Sequence, residues 1–576
     1  MRKILDYLKP YAGVYCLAGV LILLTAFADL ALPGIMKNIV NTGIGKRDTG
    51  FIIQQGILML VITLLNLLFW FLASYLGAKA SFYFARDLRK DTFGCVLKSS
   101  VDQADDIGTA SLITRTTNDV AALEMISFRI LRMGAIAPFT CIGGIVLAFR
   151  SSAEISLVFF LAVPLLALVY WFIIRKATPL FTATFPKTDA INRIIRENLT
   201  GIRVIRAFNH DNAEKARFDR ANIDLTETNI KAQRVMAWQS PLTTLIMDIT
   251  VLAILYFGTI RIDRGTFMVG DLIAMTQYAT IILGALARLS MVFQMLPRSR
   301  AAAKRINEVL NLKSTLSVPN VGAEQTPKNY DLSFSNVSFS YGGSERPVLD
   351  NVSFTAESGK TTAIIGGTGA GKSTIMQLIL RFYDVRSGAI CIGGVDVRKM
   401  DTSKLRSMIG YAAQRVELFS GSISENIGYG CSDICDEALR EAAQTAQAVN
   451  FIEAQREGYN AFIAQAGKNF SGGQKQRLSI ARALARKAPL LLFDDSFSAL
   501  DYKTDAELRK ALREKESHAT VLIVAQRVAT VMNADKIIVL NQGKVEDIGT
   551  HYELLKRCDF YKELVYSQLS RQKVTV

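Results

Sequence analysis

Apolar residues are distributed unevenly along the chain. Through its first half they gather into six runs, at residues 14–36, 55–77, 130–150, 154–174, 240–261 and 270–295. Each run supplies the ~20 residues that a helix needs to cross a bilayer core. The connections between them are unequal. Links near Gly45-Lys46-Arg47-Asp48, Ser151-Ser152-Ala153 and Asp263-Arg264-Gly265 are very short and must share one side. Segments 78–129 and 175–239 are long and fall on the other side, and they are rich in Arg and Lys (Arg86, Arg89, Lys90, Arg193, Arg196, Arg203, Arg206). That bias marks their side as cytoplasmic. Both read as continued helix reaching roughly 40 Å from the membrane, at 1.5 Å per residue. Their tips, near Val101-Asp102-Gln103 and Thr200-Gly201-Ile202, suit contact with a cytosolic domain.

Beyond Leu312 the pattern changes. A polar linker over 312–329 separates a membrane domain, 1–311, from a second domain, 330–576, that opens on alternating strands at Leu332–Phe334 and Val337–Phe339. The start of the chain, Met1-Arg2-Lys3 and an apolar run to Ala28, imitates a signal peptide. Five further spans argue for retention, and Ile4 to Tyr11 reads as a short amphipathic helix on the membrane surface.

Composition narrows the classes. Hydrophobic residues make up 50% of the 576 positions, more than a soluble core requires. The net charge of +16 is spread along the chain with no basic tail, so it fits cytoplasmic loops and not a nucleic-acid partner. The seven cysteines have no zinc-type spacing, and Cys431 and Cys435 lack a second ligand pair. Ionisable groups within a membrane are costly and face protein or water. Here Asp29, Asp248 and Arg288, with Gln277, either line a polar cavity or pair between helices, for example Asp248 with Arg288.

The second domain carries chemistry. Strand Thr361–Ile365 runs into Gly366-Gly367-Thr368-Gly369-Ala370-Gly371-Lys372-Ser373-Thr374 and then a helix, the strand–loop–helix setting of a P-loop. Its glycines let backbone N–H groups curl around phosphates, Lys372 faces the β- and γ-phosphates, and Ser373 is placed for Mg²⁺. Gln414, behind strand Ile409-Gly410-Tyr411, could reach Mg²⁺ and the attacking water. Ser471-Gly472-Gly473-Gln474 precedes a helix expected near Lys475 and offers a second set of backbone donors. The apolar strand Leu490–Phe493 ends in Asp494, a third candidate Mg²⁺ ligand, and Ser498-Ala499-Leu500-Asp501 follows. Tyr341 lies ahead of the P-loop, where it can stack on adenine.

In this order and company the chain resembles a half-transporter of the ABC exporter superfamily. Gly366–Thr374 matches Walker A, Gln414 the Q-loop, Ser471–Gln474 the signature, Leu490–Asp494 Walker B, Ser498–Asp501 the D-loop and Tyr341 the A-loop. Glu197–Phe208 resembles a cytoplasmic coupling region. The resemblance implies a six-helix α-helical membrane domain fused to an α/β P-loop ATPase domain with a helical subdomain, in a cytoplasmic membrane. ATP and Mg²⁺ are the implied cofactors. Two such ATPase domains would pair head to tail, each nucleotide lying between one Walker A and the other's signature, Ser471, Gly472, Gly473, Gln474 and Asp501 included.

Three positions depart from the family pattern. Asp495 stands where the catalytic glutamate belongs, Gln526 where the switch histidine belongs, and Ala464-Gln465-Ala466 where exporters carry Gly-Glu-Arg. Aspartate is one methylene shorter, and misplacing a base by ~1 Å can cost on the order of 100-fold in rate. Gln526 donates a hydrogen bond but carries no imidazole charge. The pair resembles the degenerate-site subunit of heterodimeric multidrug exporters, which implies a non-identical partner half, lipid surroundings and a hydrophobic cargo. A slow homodimer, an ATP-gated channel, a chelated-metal importer and a soluble DNA-repair ATPase are the competing classes, the last opposed by the six spans.

Overall fold

The computed structural model describes residues 2–312, 327, 329–342, 346–431 and 434–568. Most of the expected linker, 312–329, lies outside them. The chain divides into two compact units, one of Met1–Lys98 with Ile107–Leu312, the other of Ser99–Asp106 with Lys313–Val576.

The first unit is helical throughout. Among the described residues, six helical stretches are long and apolar enough to cross a membrane: Ile4–Ile44, Thr49–Lys98, Thr109–Ser151, Ala153–Thr200, Asp211–Asp263 and Val269–Leu310. Only 6% of the most apolar window in Thr49–Lys98 is buried, so most of that window lies on the outer surface of this unit. Small residues allow close approach where helices meet. A Cβ at Gly144 would lie 2.7 Å from Ile282, and one at Gly258 would lie 2.4 Å from Leu272.

The long excursions are less uniform than their composition suggests. The first runs unbroken to Lys98, then divides into Val101–Ile107, Thr109–Thr116 and Asn118–Arg129. Gly108 makes the break at φ +79°, a conformation that costs glycine little. The second passes through Pro179 and Pro186 as one helix to Thr200, turns through Ile202–Ala207, and resumes at Asp211. Asp211 and Glu214 in that first turn oppose the positive end of the helix dipole. The N-terminal surface helix is shorter than expected, Arg2–Asp6, with a separate 3₁₀ turn over Lys9–Tyr11 where Pro10 interrupts it.

In the second unit a six-stranded sheet runs in the order Lys544–Gly549, Lys536–Asn541, Thr361–Gly366, Thr520–Ala525, Leu490–Asp494, Ile409–Ala412. All neighbours are parallel except the first pair. Strand side chains alternate between faces, and both faces here are covered. Ile365, Phe493, Ile523 and Val539 enter one apolar cluster, while Ile364, Leu492, Leu522 and Ile538 enter another. That double burial explains the unbroken apolar run of Leu490–Phe493. A four-stranded antiparallel sheet, Leu349–Ala356, Leu332–Phe339, Ser387–Ile392 and Val395–Asp396, packs into the second cluster. Helices Ile423–Ile427, Asp436–Thr445 and Gly472–Ala485 pack together as the expected helical subdomain.

Candidate functional site

Parallel strands bring their C-terminal ends to one edge. Register pairs Leu540 with Gly366, Ile365 with Ala525, and Val524 with Asp494, so the phosphate loop, the Walker B carboxylate and the switch segment converge there. Such an edge is where open α/β sheets bind ligands.

The loop is a cradle that larger residues would fill. A Cβ on Gly366 would meet the Leu540 carbonyl oxygen at 2.1 Å, and one on Gly371 would meet Leu349 at 2.6 Å. Gly369 and Gly371 adopt φ +81° and +96°. Thr368 and Gly369 form the exposed tip, while Ala370 and Gly371 are buried. Helix Lys372–Ile379 begins at Lys372, aiming its N-terminal N–H groups into the loop. Lys372 Nζ donates to the carbonyls of Gly366 (2.9 Å) and Gly367 (2.7 Å), curling the loop over its own cation. Burial holds the Lys372 ammonium below its ordinary pKa, against the pull of Asp495 and Asp494.

Ser373 Oγ donates to Asp494 Oδ1 at 3.0 Å, which brings two hard oxygen ligands together as Mg²⁺ requires. Burial raises the Asp494 carboxyl, and the Ser373 hydrogen bond opposes the rise. Gln414 Nε2 donates to Asp495 Oδ2 at 3.3 Å, so the Q-loop side chain joins the base position. Asp495 is itself buried and left-handed, at φ +46°. Burial raises its pKa, and hydrogen bonds from Gln414 and from the Gln526 backbone N–H oppose the rise. The Gln526 side chain is exposed.

Tyr341 stands beside the helix that follows the loop, its hydroxyl bonded to Thr374 Oγ1 (3.0 Å) and Gln377 Oε1 (2.8 Å). Its ring packs edge-on to Phe339 and Tyr383. The signature helix starts at Gly472, three residues before the position expected. Ser471 and Gln474 form a capping box, each side chain accepting the other's backbone N–H, and this moves the helix start. With both polar side chains engaged, the first-turn N–H groups of Gly472 and Gly473 are the donors left for a phosphate. The Asp501 carboxylate caps helix Tyr502–Lys515 through the Thr504 N–H (3.0 Å) and hydroxyl (2.8 Å). Ala466, in the altered Ala464-Gln465-Ala466 stretch, is left-handed at φ +56°.

The membrane unit holds a second polar site. A cavity of about 450 Å³ is lined by Asp29, Asn66, Trp70, Arg132 and Arg288 among others. Asn66 Nδ2 donates to Asp29 Oδ1 at 2.6 Å, and the Arg132 guanidinium lies 4.3 Å from the Trp70 ring centroid. Arg288 Nε is buried with no hydrogen-bond partner among the described residues. The suggested pairing of Asp248 with Arg288 is therefore corrected. Ile246 and Thr250 are the buried face of their helix, and Asp248, about 200° around at 100° per residue, is exposed. Neither Asp248 nor Gln277 lines this cavity. Asn66 and Arg132 were not singled out from sequence, although Asn66 interrupts the run Leu64-Leu65-Asn66-Leu67-Leu68.

Comparison with known proteins agrees with this anatomy. Residues 15–286 match the ABC transporter transmembrane region, and residues 349–498 match the ABC transporter ATPase family. An uncharacterized ABC transporter ATP-binding protein of Mycobacterium tuberculosis is 38% identical over 98% of this chain and 97% of its own. An ATP-dependent lipid A-core flippase of Haemophilus ducreyi is 32% identical over 99% and 98%. A bacterial Atm1-family ABC exporter with ATP bound superposes with a TM-score of 0.85 at 25% identity, over 96% of this chain and 98% of that one.

Proposed function

The chain belongs to the ABC transporter family as a half-size exporter, and from that premise we propose that it is the degenerate-site half of a heterodimeric pump for hydrophobic, lipid-like compounds. The observation that carries this is the position of Asp495. Its short carboxylate is buried and bonded to Gln414, and Gln526 stands where a histidine would be at the switch.

The binding machinery is complete by comparison. Lys372 would trade its two loop carbonyls for phosphate oxygens, and the loop N–H groups would complete the cradle. Ser373, Asp494 and Gln414 would hold Mg²⁺, which neutralises phosphate charge. Gly472 and Gly473 would lend N–H groups to the nucleotide on the partner's Walker motifs, so this chain completes the partner's site while its own turns over slowly. A base withdrawn by ~1 Å accounts for on the order of 100-fold, and the loss of the imidazole adds to it.

For cargo, Asp29, Asn66, Arg132 and Arg288 would meet the polar end of an amphiphile, with the apolar spans around its tail. One relative's name as a lipid A-core flippase makes a lipid-like cargo the natural class to try.

Copurification from the native membrane tests the pairing. The expected result is a second, non-identical half-transporter with Glu and His at the two altered positions. Recovery of this chain alone, hydrolysing ATP briskly and losing that activity on Asp495→Ala, would establish a homodimer instead.

A further inference from the structure

The switch segment is held from behind by a residue that no motif includes. Helix Asp559–Gln568 packs through buried Tyr561 and Val565, and Tyr561 OH lies 2.7 Å from His551 Nδ1. At its end the Gln568 amide grips the switch backbone on two sides. Its Nε2 donates to the Gln526 carbonyl at 2.9 Å, and its Oε1 accepts from the Val528 N–H at 2.8 Å. Two residues before Gln526, the Val524 carbonyl accepts the Asp495 N–H at 2.9 Å. Gln568 therefore holds the segment that leaves the strand at Val524, whose carbonyl is bonded to Asp495, and Asp495 in turn is bonded to Gln414.

We propose that Gln568 is a positioning residue for ATP hydrolysis, fixing the peptide planes of Gln526–Val528 so that the switch side chain and the Asp495 carboxylate keep their places at the nucleotide. The physical reasons are reach and valence. An amide at this position supplies one donor and one acceptor together, which matches the carbonyl and N–H of a segment leaving a strand end. Both bonds are to backbone, so the clamp is indifferent to the residue at 526 and to which of two paired sites turns over faster. It goes beyond the asymmetry proposed above and does not depend on it.

The test uses the full-length chain in lipid nanodiscs, wild type and with Asp495→Glu and Gln526→His together, taking whichever turns over faster as the background. Gln568→Ala is expected to speed hydrogen exchange of the peptide spanning 526–531 by at least about fivefold, the factor one lost hydrogen bond gives. The same variant should lower kcat for MgATP about fivefold while KM and exchange in helix Gly472–Ala485 stay unchanged. Gln568→Glu separates positioning from bulk stability. Ionised at working pH, it keeps the size of the side chain but repels the Gln526 carbonyl, so it should behave like Gln568→Ala although the packing volume is retained. Unchanged exchange and kcat in Gln568→Ala, faster exchange with unchanged kcat, a rise in KM alone, or background-level kcat in Gln568→Glu would each overturn the proposal.

Discussion

At the nucleotide edge the described charged side chains are matched. Ser373 meets Asp494, Gln414 meets Asp495, and Lys372 caps two carbonyls within its own loop. In the membrane cavity the polar groups are drawn from separate helices, Asp29 is met by Asn66, and Arg288 Nε has no partner among the described residues. An unmet buried donor costs about 1–3 kcal/mol. The first region is organised for one ligand of fixed shape; the second retains hydrogen-bonding capacity at a cost in stability. The difference teaches how the proposed function would be divided: fuel bound in a preformed loop, cargo met in a cavity with polar capacity to spare.

The comparison breaks most directly at Lys372. Lys372→Ala should reduce ATP-dependent turnover and transport by on the order of 100-fold or more, as loss of a preorganised charge at a phosphoryl site does, while leaving the membrane unit folded. An ATPase assay with a circular-dichroism control reads both. Intact turnover would mean that the loop does not hold the nucleotide.

Restoring the two altered positions sharpens the nucleotide side. Asp495→Glu with Gln526→His should raise the turnover of the chain alone by roughly 10–100-fold. A fall in turnover would mean that the native pair is already matched to its base position.

The pH profile follows from the environment of the same groups. Burial raises Asp495 above its usual value of 3.8, so a base role fails at a higher pH than for an exposed aspartate. Burial lowers Lys372 below 10.5, so its charge is lost earlier on the alkaline side. The rate–pH curve should be narrowed at both limbs, falling by about tenfold per unit once past each pKa. Asp495→Asn should remove the acid limb, leaving a low plateau.

The smallest effect is expected in the cavity. Arg288→Leu should weaken uptake of an anionic amphiphile a few-fold, as one lost charge-assisted hydrogen bond would, and leave basal ATPase intact. Transport of a zwitterionic lipid in parallel checks that the protein still cycles.

Much of the nucleotide site was legible because its chemistry is local. Gly366–Thr374 carries its own geometry in a stretch whose glycines, lysine and hydroxyl act on neighbouring backbone, and Asp494 ends a strand that its apolar run announces. The spans were legible from length and apolarity alone. The start of the signature helix was misplaced because a capping box between Ser471 and Gln474, not residue propensity, sets it. The cavity was only half legible. Asp29 and Arg288 could be named, but their neighbours Asn66 and Arg132 could not, nor could the exposure of Asp248, because helix rotation decides which side of a span faces protein.

From the chain alone came the six membrane-crossing runs, their cytoplasmic side, and a phosphate cradle with an aspartate and a glutamine where the family resemblance expects base and switch. Those follow from periodicity, charge bias and motif order, all of which act within a few residues. Tertiary structure decided the rest: that Asp495 is buried and bonded to Gln414 and the Val524 carbonyl, that Asn66 serves Asp29 across two helices, and that Gln568, 42 residues beyond Gln526, clamps the switch. Each of these unites groups far apart in sequence. Such contacts are set by the packing of whole elements, and no local preference encodes them.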